Sequence, residues 1–319
     1  MAEKNGSACF RTSIGGQALI EGILMRGPEK QAIVVRSPEG LVVKEEKLRL
    51  VRDKHPILGL PLIRGAVTFI DSMVKGVQAL MFSADYFPDE PSAKPSKVDE
   101  WIEKHFSGEK AQKITVAVAV VLALLMTIGL FFFLPTFLAG LVTPFIDSVV
   151  VHNLIEGVVK IVIFGVYLIL CSKQKDIYRV FQYHGAEHKT IFCYEARLPL
   201  TVENVRRQPK HHPRCGTSFL FVVIVISILF SSVVFSLVDW KNMWIRFGLH
   251  LLLLPLIIGI AYEFNRFVGR CDNALTRFLR RPGMWLQNFT TNEPDDDMIE
   301  VAIKAMELVI PEEEGKDLW

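Results

Sequence analysis

The run Tyr183-His184-Gly185-Ala186-Glu187-His188-Lys189 holds two imidazoles four residues apart with a carboxylate just before the second. On a helix, positions four apart lie one turn apart on the same face. Two imidazoles so disposed can ligate one zinc ion or another divalent metal, and the intervening glutamate can act as a general base on a bound water, as in peptidases with the inverted H-x-x-E-H motif. His184 and His188 are therefore candidate metal ligands and Glu187 the candidate catalytic base. A third ligand must come from elsewhere. Glu263 and Cys215 rank equal for that place, with His212 third. Each has a plainer reading: Cys215 as a small buried residue, Glu263 as the partner of Arg266 or Arg270. The histidines have one too, as core side chains hydrogen-bonded to Glu187, Glu195 or a backbone carbonyl. Ile177, Phe181, His184, His188 and Ile191 fall on one helical stripe, which turns the imidazoles inward, where they need partners.

Other polar groups invite a reading. The segment from Ile14 to Pro28 holds four glycines and Arg26, but its spacing fits neither a phosphate-binding P-loop nor a dinucleotide fingerprint. Arg26 can hold a phosphate or an acidic side chain; the preferred expectation is close packing of this segment on the membrane domain. Arg64, Arg214 and His212 are further candidate ligand or phosphate contacts. Glu156 and Lys160, four apart with His152 a turn earlier, read as a structural ion pair inside a membrane helix.

These residues must be positioned by membrane helices. Half of the 319 residues are hydrophobic, and the apolar ones gather in long uncharged blocks. About 20 apolar residues cross a bilayer, and four segments qualify: roughly 114–141, 149–171, 217–238 and 247–262. The loop from Ser172 to Gly216 and the C-terminal tail are rich in Lys and Arg, whereas 143–148 has none and 239–246 only Lys241 and Arg246. The basic loops belong inside, so both termini are expected in the cytosol. The segment 61–87 is apolar with a polar stripe of Arg64, Thr68, Asp71, Lys75 and Gln78, and is expected as an amphipathic interfacial or re-entrant helix.

Five parts follow. Residues 1–60 form a cytosolic Gly-rich segment and a β-hairpin, with strands near 32–36 and 41–44 joined by Ser37-Pro38-Glu39-Gly40. Then come the amphipathic helix 61–87, a linker 88–113, a four-helix membrane domain 114–264 with its cytosolic loop 172–216, and a cytosolic tail 265–319. That tail holds a surface helix at 294–309 started by Pro294 and an acidic first turn. The fold class is all-α polytopic membrane protein with a small cytosolic α+β part. A net charge of +2 is not that of a nucleic-acid binder. The five cysteines form no C-x-x-C pair and are expected reduced near the cytosolic side.

As a set, GGQALIEGILMRGP, RGAVTFIDSMVKGVQAL, YHGAEHKTIFCYEA, HPRCGTSFL and MWLQNFTTNEPDDDMIEVAI resemble the YqhQ-like family of bacterial membrane proteins, a domain of unknown function. The resemblance covers nearly the whole chain. It implies a multi-pass protein of the bacterial plasma membrane, described in places as a metal-dependent enzyme, and supplies neither substrate nor catalytic residues. The leading expectation is a metal-dependent hydrolase at the cytosolic membrane surface, acting on a membrane-protein segment or a lipid-linked molecule. The alternative is a non-enzymatic transport or scaffold protein in which the same cluster is a buried polar network or a lipid-headgroup site. The bilayer is the expected partner, and a homo-oligomer is compatible with the sequence.

Overall fold

The computed structural model describes residues 10–48, 55–87, 101, 105, 108–239, 241–270 and 273–319. Most of the linker expected at 88–113 lies outside them, as do Cys9 and Cys271. The chain divides into two interleaved compact units: Met1–Phe87, Leu168–Val223 and Pro255–Trp319 make one, and Pro88–Tyr167 with Ile224–Leu254 make the other.

The first unit contains a four-stranded antiparallel sheet, β1 Gly15–Leu19, β2 Gly22–Arg26, β3 Lys30–Ser37 and β4 Gly40–Lys47, in the order β1-β2-β3-β4. The expected hairpin is its β3–β4 half, turning at Ser37↔Gly40, with Ser37 Oγ donating to the Gly40 carbonyl at 2.9 Å. The Gly-rich segment corrects the expectation of mere close packing: it supplies the other two strands. Side chains alternate across a strand, so Ile23, Met25, Ala32 and Val34 face one core while Leu24, Ile33 and Val35 face another.

On the first face lies α10, Asp296–Glu307. Sequence placed it on the surface; the structure buries Met298, Ile299, Val301, Ala302, Ala305 and Met306 between the sheet and the helix α5, Lys175–Glu195. Asp295 caps it by accepting from Met298 N at 2.9 Å. Burying each of the larger of these side chains, Met298, Ile299, Val301 and Met306, contributes about 1.5–3 kcal/mol, so α10 is central to this unit. On the other face lies α1, Ile63–Ala84, through Ala79 with Phe82 nearby. Its opposite side exposes Ile70, Met73 and Val74.

Among the described residues, four helical stretches are long and apolar enough to cross a membrane: Ile114–Gly140, Val149–Ser172, Gly216–Leu237 and Met243–Arg270; α1 is not among them. The first is built of α2 Glu109–Ile128, a π-helical segment Gly129–Phe133 and α3 Leu134–Gly140. The others contain α4 Val149–Ser172, α7 Gly216–Val234 and α8 Met243–Arg270. Between α4 and α7 lie α5 Lys175–Glu195 and the short α6 Val202–Arg206; α9 spans Ala274–Thr290. A break at Lys173–Gln174 ends α4 and lets α5 start afresh, with Gln174 extended at φ −78°, ψ 134°.

Candidate metal centre

Helix α5 carries the H-x-x-E-H residues and is unusual in being buried on several sides from Tyr183 to Cys193. The sheet packs on it through β1, and α10 and α6 pack elsewhere along it. Two glycines permit the approach. A Cβ on Gly185 would stand 2.0 Å from the Asn292 carbonyl oxygen, and one on Gly16 would stand 2.7 Å from Leu24 O and 3.1 Å from Glu187 Cδ. The N-terminal segment thus forms a wall against Glu187, and Gly16 N–H donates to Glu187 Oε1 at 2.9 Å.

His184 and His188 are one turn apart, with ring centroids 4.3 Å from each other. Each imidazole is tied at Nδ1 to a main-chain carbonyl: His184 to Thr290 O at 2.7 Å and His188 to Lys210 O at 2.6 Å. A carbonyl oxygen only accepts, so both Nδ1 atoms carry a proton, and in the neutral ring it is Nε2 that offers a lone pair to a metal. This is how neighbouring carbonyls fix the tautomer of a metal-binding histidine. His184 Nε2 lies 3.2 Å from Cys215 Sγ, and the candidate ligand atoms of His184, His188 and Cys215 all lie within 4.8 Å of one another. Tetrahedral zinc with nitrogen and sulfur ligands needs separations of about 3.3–3.6 Å, so a small adjustment seats the ion. The donor set fits it.

The loop that delivers Cys215 is clamped along α5. Lys189 Nζ donates to Arg206 O at 3.0 Å and Gln208 O at 2.9 Å. Gln287 of α9 holds both sides of the His212 backbone, accepting from its N–H and donating to its carbonyl, each at 2.7 Å. Cys215 then opens α7, where its sulfur meets Thr217 Oγ1 at 3.2 Å.

The electrostatics of the cluster favour a thiolate on Cys215. Burial would raise the Cys215 thiol, but the His184 and His188 imidazoles hold it well below the ordinary thiol range. Burial opposes charge on His184, yet the Cys215 sulfur outweighs it and keeps the ring up to about 9. Without an ion, the pair is a thiolate and an imidazolium sharing one proton. Burial raises the Glu187 carboxyl against the pull of His188 and His184. Glu187 is 5% exposed, His188 2% and Cys215 5%.

The other candidates are placed differently. Glu263 does not join the cluster: it takes both Nε and Nη2 of Arg64 on α1, at 2.6 and 2.5 Å. Its hydrogen-bonded partner is thus Arg64, with Arg266 acting on it only through charge. Arg64 is thereby occupied, and Arg26 is occupied by Asp71 and Ser72, each at 3.0 Å. Arg214 pairs with Glu195 and lies 5.3 Å over the Trp319 ring. His212 sits 3.9 Å from Glu195 and against Phe192, beside rather than in the cluster. Glu195 in turn accepts from Thr12 N at 2.8 Å, tying in the N-terminal segment. Cys171, Cys193 and Cys215 are free thiols. The groups that sequence did not indicate are main-chain ones, Gly16 N–H, Thr290 C=O and Lys210 C=O, which have no side-chain signature.

Comparison with known proteins gives kinship without an activity. A curated relative, the "Uncharacterized protein YqhQ" of Bacillus subtilis (strain 168), is 34% identical over 296 residues, covering 91% of this chain and 90% of the relative. No solved structure matches the chain. The family model described as "Protein of unknown function (DUF1385)" matches residues 60–312, a range that includes α5, Cys215, α9 and α10 but not the Gly-rich wall, and the chain belongs to that family.

Proposed function

We propose that the protein is a metal-dependent hydrolase of the bacterial plasma membrane, with its centre on the cytosolic side. The observation that carries the reading is the convergence of three ligand atoms, from His184, His188 and Cys215, beside the buried carboxyl of Glu187. Three protein ligands are the number catalytic zinc sites use, leaving a position for water or substrate. A bound zinc-class ion would supply Lewis acidity. His184 and His188 orient their Nε2 atoms through the carbonyls they donate to, and Cys215 supplies the anionic donor. Glu187, held by Gly16 N–H, takes a proton at its free carboxyl oxygen and returns it to a leaving group; a raised carboxyl suits that work near neutral pH.

Membrane residence is supported by the four apolar helices and by their bare surfaces, such as Leu122, Leu124, Leu125 and Met126. The cytosolic placement of the termini follows from the Lys and Arg distribution in the loops. Helices α1 and α9 expose apolar rows, Ile70, Met73 and Val74 on one and Leu275, Phe278 and Trp285 on the other, suited to an interface. A substrate presented from the bilayer, a membrane-protein segment or a lipid-linked molecule, fits that setting.

The test is cobalt substitution of the purified full-length protein. One metal per chain, with visible bands of a four-coordinate thiolate site, is expected in the wild type and lost in His188→Ala. Added azide should shift the bands if a coordination position is open. Bands that azide leaves unchanged would make the centre structural, and no stoichiometric metal in the wild type would end the reading.

A further inference from the structure

The second unit holds a polar cluster of its own. Glu156 on α4 accepts at Oε1 from Lys160 Nζ at 2.9 Å, His250 Nε2 at 2.7 Å and Thr136 Oγ1 at 3.0 Å, and at Oε2 from Arg246 Nη2. The ion pair expected from sequence is therefore one edge of a larger network, with Arg246 and His250 contributed by α8. Arg246 Nη2 also donates to Asn153 Oδ1 at 2.8 Å. Arg246 is 2% exposed, yet its Nε and Nη1 have no hydrogen-bond partner. The face of its guanidinium is covered by Phe235, 4.2 Å to the ring centroid. The acceptors of Glu156 are spent on four donors, and no second carboxylate pairs with Arg246 among the described residues.

Buried polar groups are almost always satisfied, and an unpaired donor on a charged group costs more than on a neutral one. Arg246 is also one of the residues lining a cavity of about 210 Å³, together with Thr136, Phe137, Gly140, Thr143, Lys241 and Met243 among others. That volume holds several waters. Two cationic residues, Arg246 and Lys241, are among its lining, beside the apolar Phe137 and Met243. Planar guanidinium donors match phosphate oxygens, and an apolar wall suits the glycerol and upper acyl carbons that adjoin a lipid phosphate. We propose that this cavity binds a phosphate group, either as free inorganic phosphate or as the headgroup of an anionic phospholipid. The site is separate from the metal reading and stands or falls without it.

Gly140 allows a variant that leaves Arg246 and its partners untouched. A Cβ there meets no atom within 4 Å, so Gly140→Leu extends into free space and shortens the cavity. Full-length protein in maltoside micelles is titrated with inorganic phosphate by calorimetry. In a parallel arm, delipidated protein is mixed with dioleoyl-phosphatidylglycerol and the bound lipid is counted by native mass spectrometry. Saturable binding in at least one arm is expected, weakened tenfold or more by both Arg246→Gln and Gly140→Leu. The phosphate arm alone identifies the free ion and the lipid arm alone the headgroup. No saturable binding in either arm overturns the proposal. So does wild-type binding in Gly140→Leu, which decides the matter even if Arg246→Gln fails to fold.

Discussion

Replacing Cys215 by serine separates a metal centre from a hydrogen-bonded cluster, because the two respond in opposite ways. The sulfur meets His184 Nε2 and Thr217 Oγ1, each at 3.2 Å. A serine hydroxyl can donate to the same nitrogen and accept from the same threonine, so a purely hydrogen-bonded cluster would lose only its charge-assisted contact, about 1.5–3 kcal/mol, and by the same amount with or without a chelator. A metal centre would lose a thiolate, since a serine hydroxyl stays protonated at neutral pH. Losing an outer-shell partner already weakens metal binding about 10–100-fold. Losing a ligand should exceed the upper end, which is about 2.8 kcal/mol at 1.4 kcal/mol per tenfold. With metal at about 1,000 times Kd, the wild type gains about 4 kcal/mol of apparent stability from the ion, and Cys215→Ser should lose most of that gain. Zinc content by mass spectrometry and thermal melting with and without a chelator measure both quantities. Wild-type zinc content in Cys215→Ser, or a wild type whose melting ignores the chelator, would refute the reasoning.

Gly185→Ala should destabilise the first unit by about 1–3 kcal/mol, because its Cβ would drive α5 off the Asn292 carbonyl and strain the 2.9 Å bond from Asn292 N to Phe181 O; Gly165→Ala, whose Cβ meets nothing, should not lower the melting midpoint. His212 gives an acid-labile term. Burial, aided by His188 and Arg214 and opposed by Glu195, lowers its imidazole to about 4. Its folded value lies below the unfolded one near 6.5, so the unfolded state binds more protons between those limits, and stability must fall as pH drops from about 6.5 to 4. The loss is on the order of 3 kcal/mol, and His212→Gln should flatten the denaturation curve across that window; an unchanged slope would count against it. For orientation, a cysteine at Lys175 should react with a membrane-impermeant thiol reagent only in opened cells and one at Asn242 in intact cells, and outside labelling of Lys175→Cys would invert the topology.

What the sequence made legible was what periodicity encodes locally. The four apolar blocks are visible because each exceeds a bilayer's worth of residues. The β3–β4 hairpin is visible because Ser37-Pro38-Glu39-Gly40 is turn chemistry between alternating strands. The strands β1 and β2 were not, since their four neighbouring glycines weaken strand propensity. They form because close approaches, such as Gly16 to Leu24 O and Glu187, leave no room for side chains. The apolar face of α10 was read from Met298, Val301, Ala302, Met306 and Val309, all of them buried. Its central position was not, because a helical period gives one buried face, whereas α10 also buries Ile299 and Ala305, in contact with β2, β3, α5 and α6.

The candidate site divides along the same line. The facing of His184 and His188 is a property of one helix, so four-residue spacing suffices to bring the rings to 4.3 Å. The third partner is a long-range choice, and Cys215 and Glu263 looked alike because each stands at the end of an apolar span. What separates them is competition. Arg64 offers Glu263 two parallel hydrogen bonds, an arrangement stronger than a neutral contact and one that consumes both carboxylate oxygens. Cys215 faces no such competitor; its loop is fastened by Lys189 and Gln287 through main-chain groups, and the sulfur is left to the imidazoles. The tautomers are set the same way, by the carbonyls of Thr290 and Lys210. Spacing therefore reveals which side chains can meet, while the backbone partners that aim them belong to every residue type and leave no trace in the sequence.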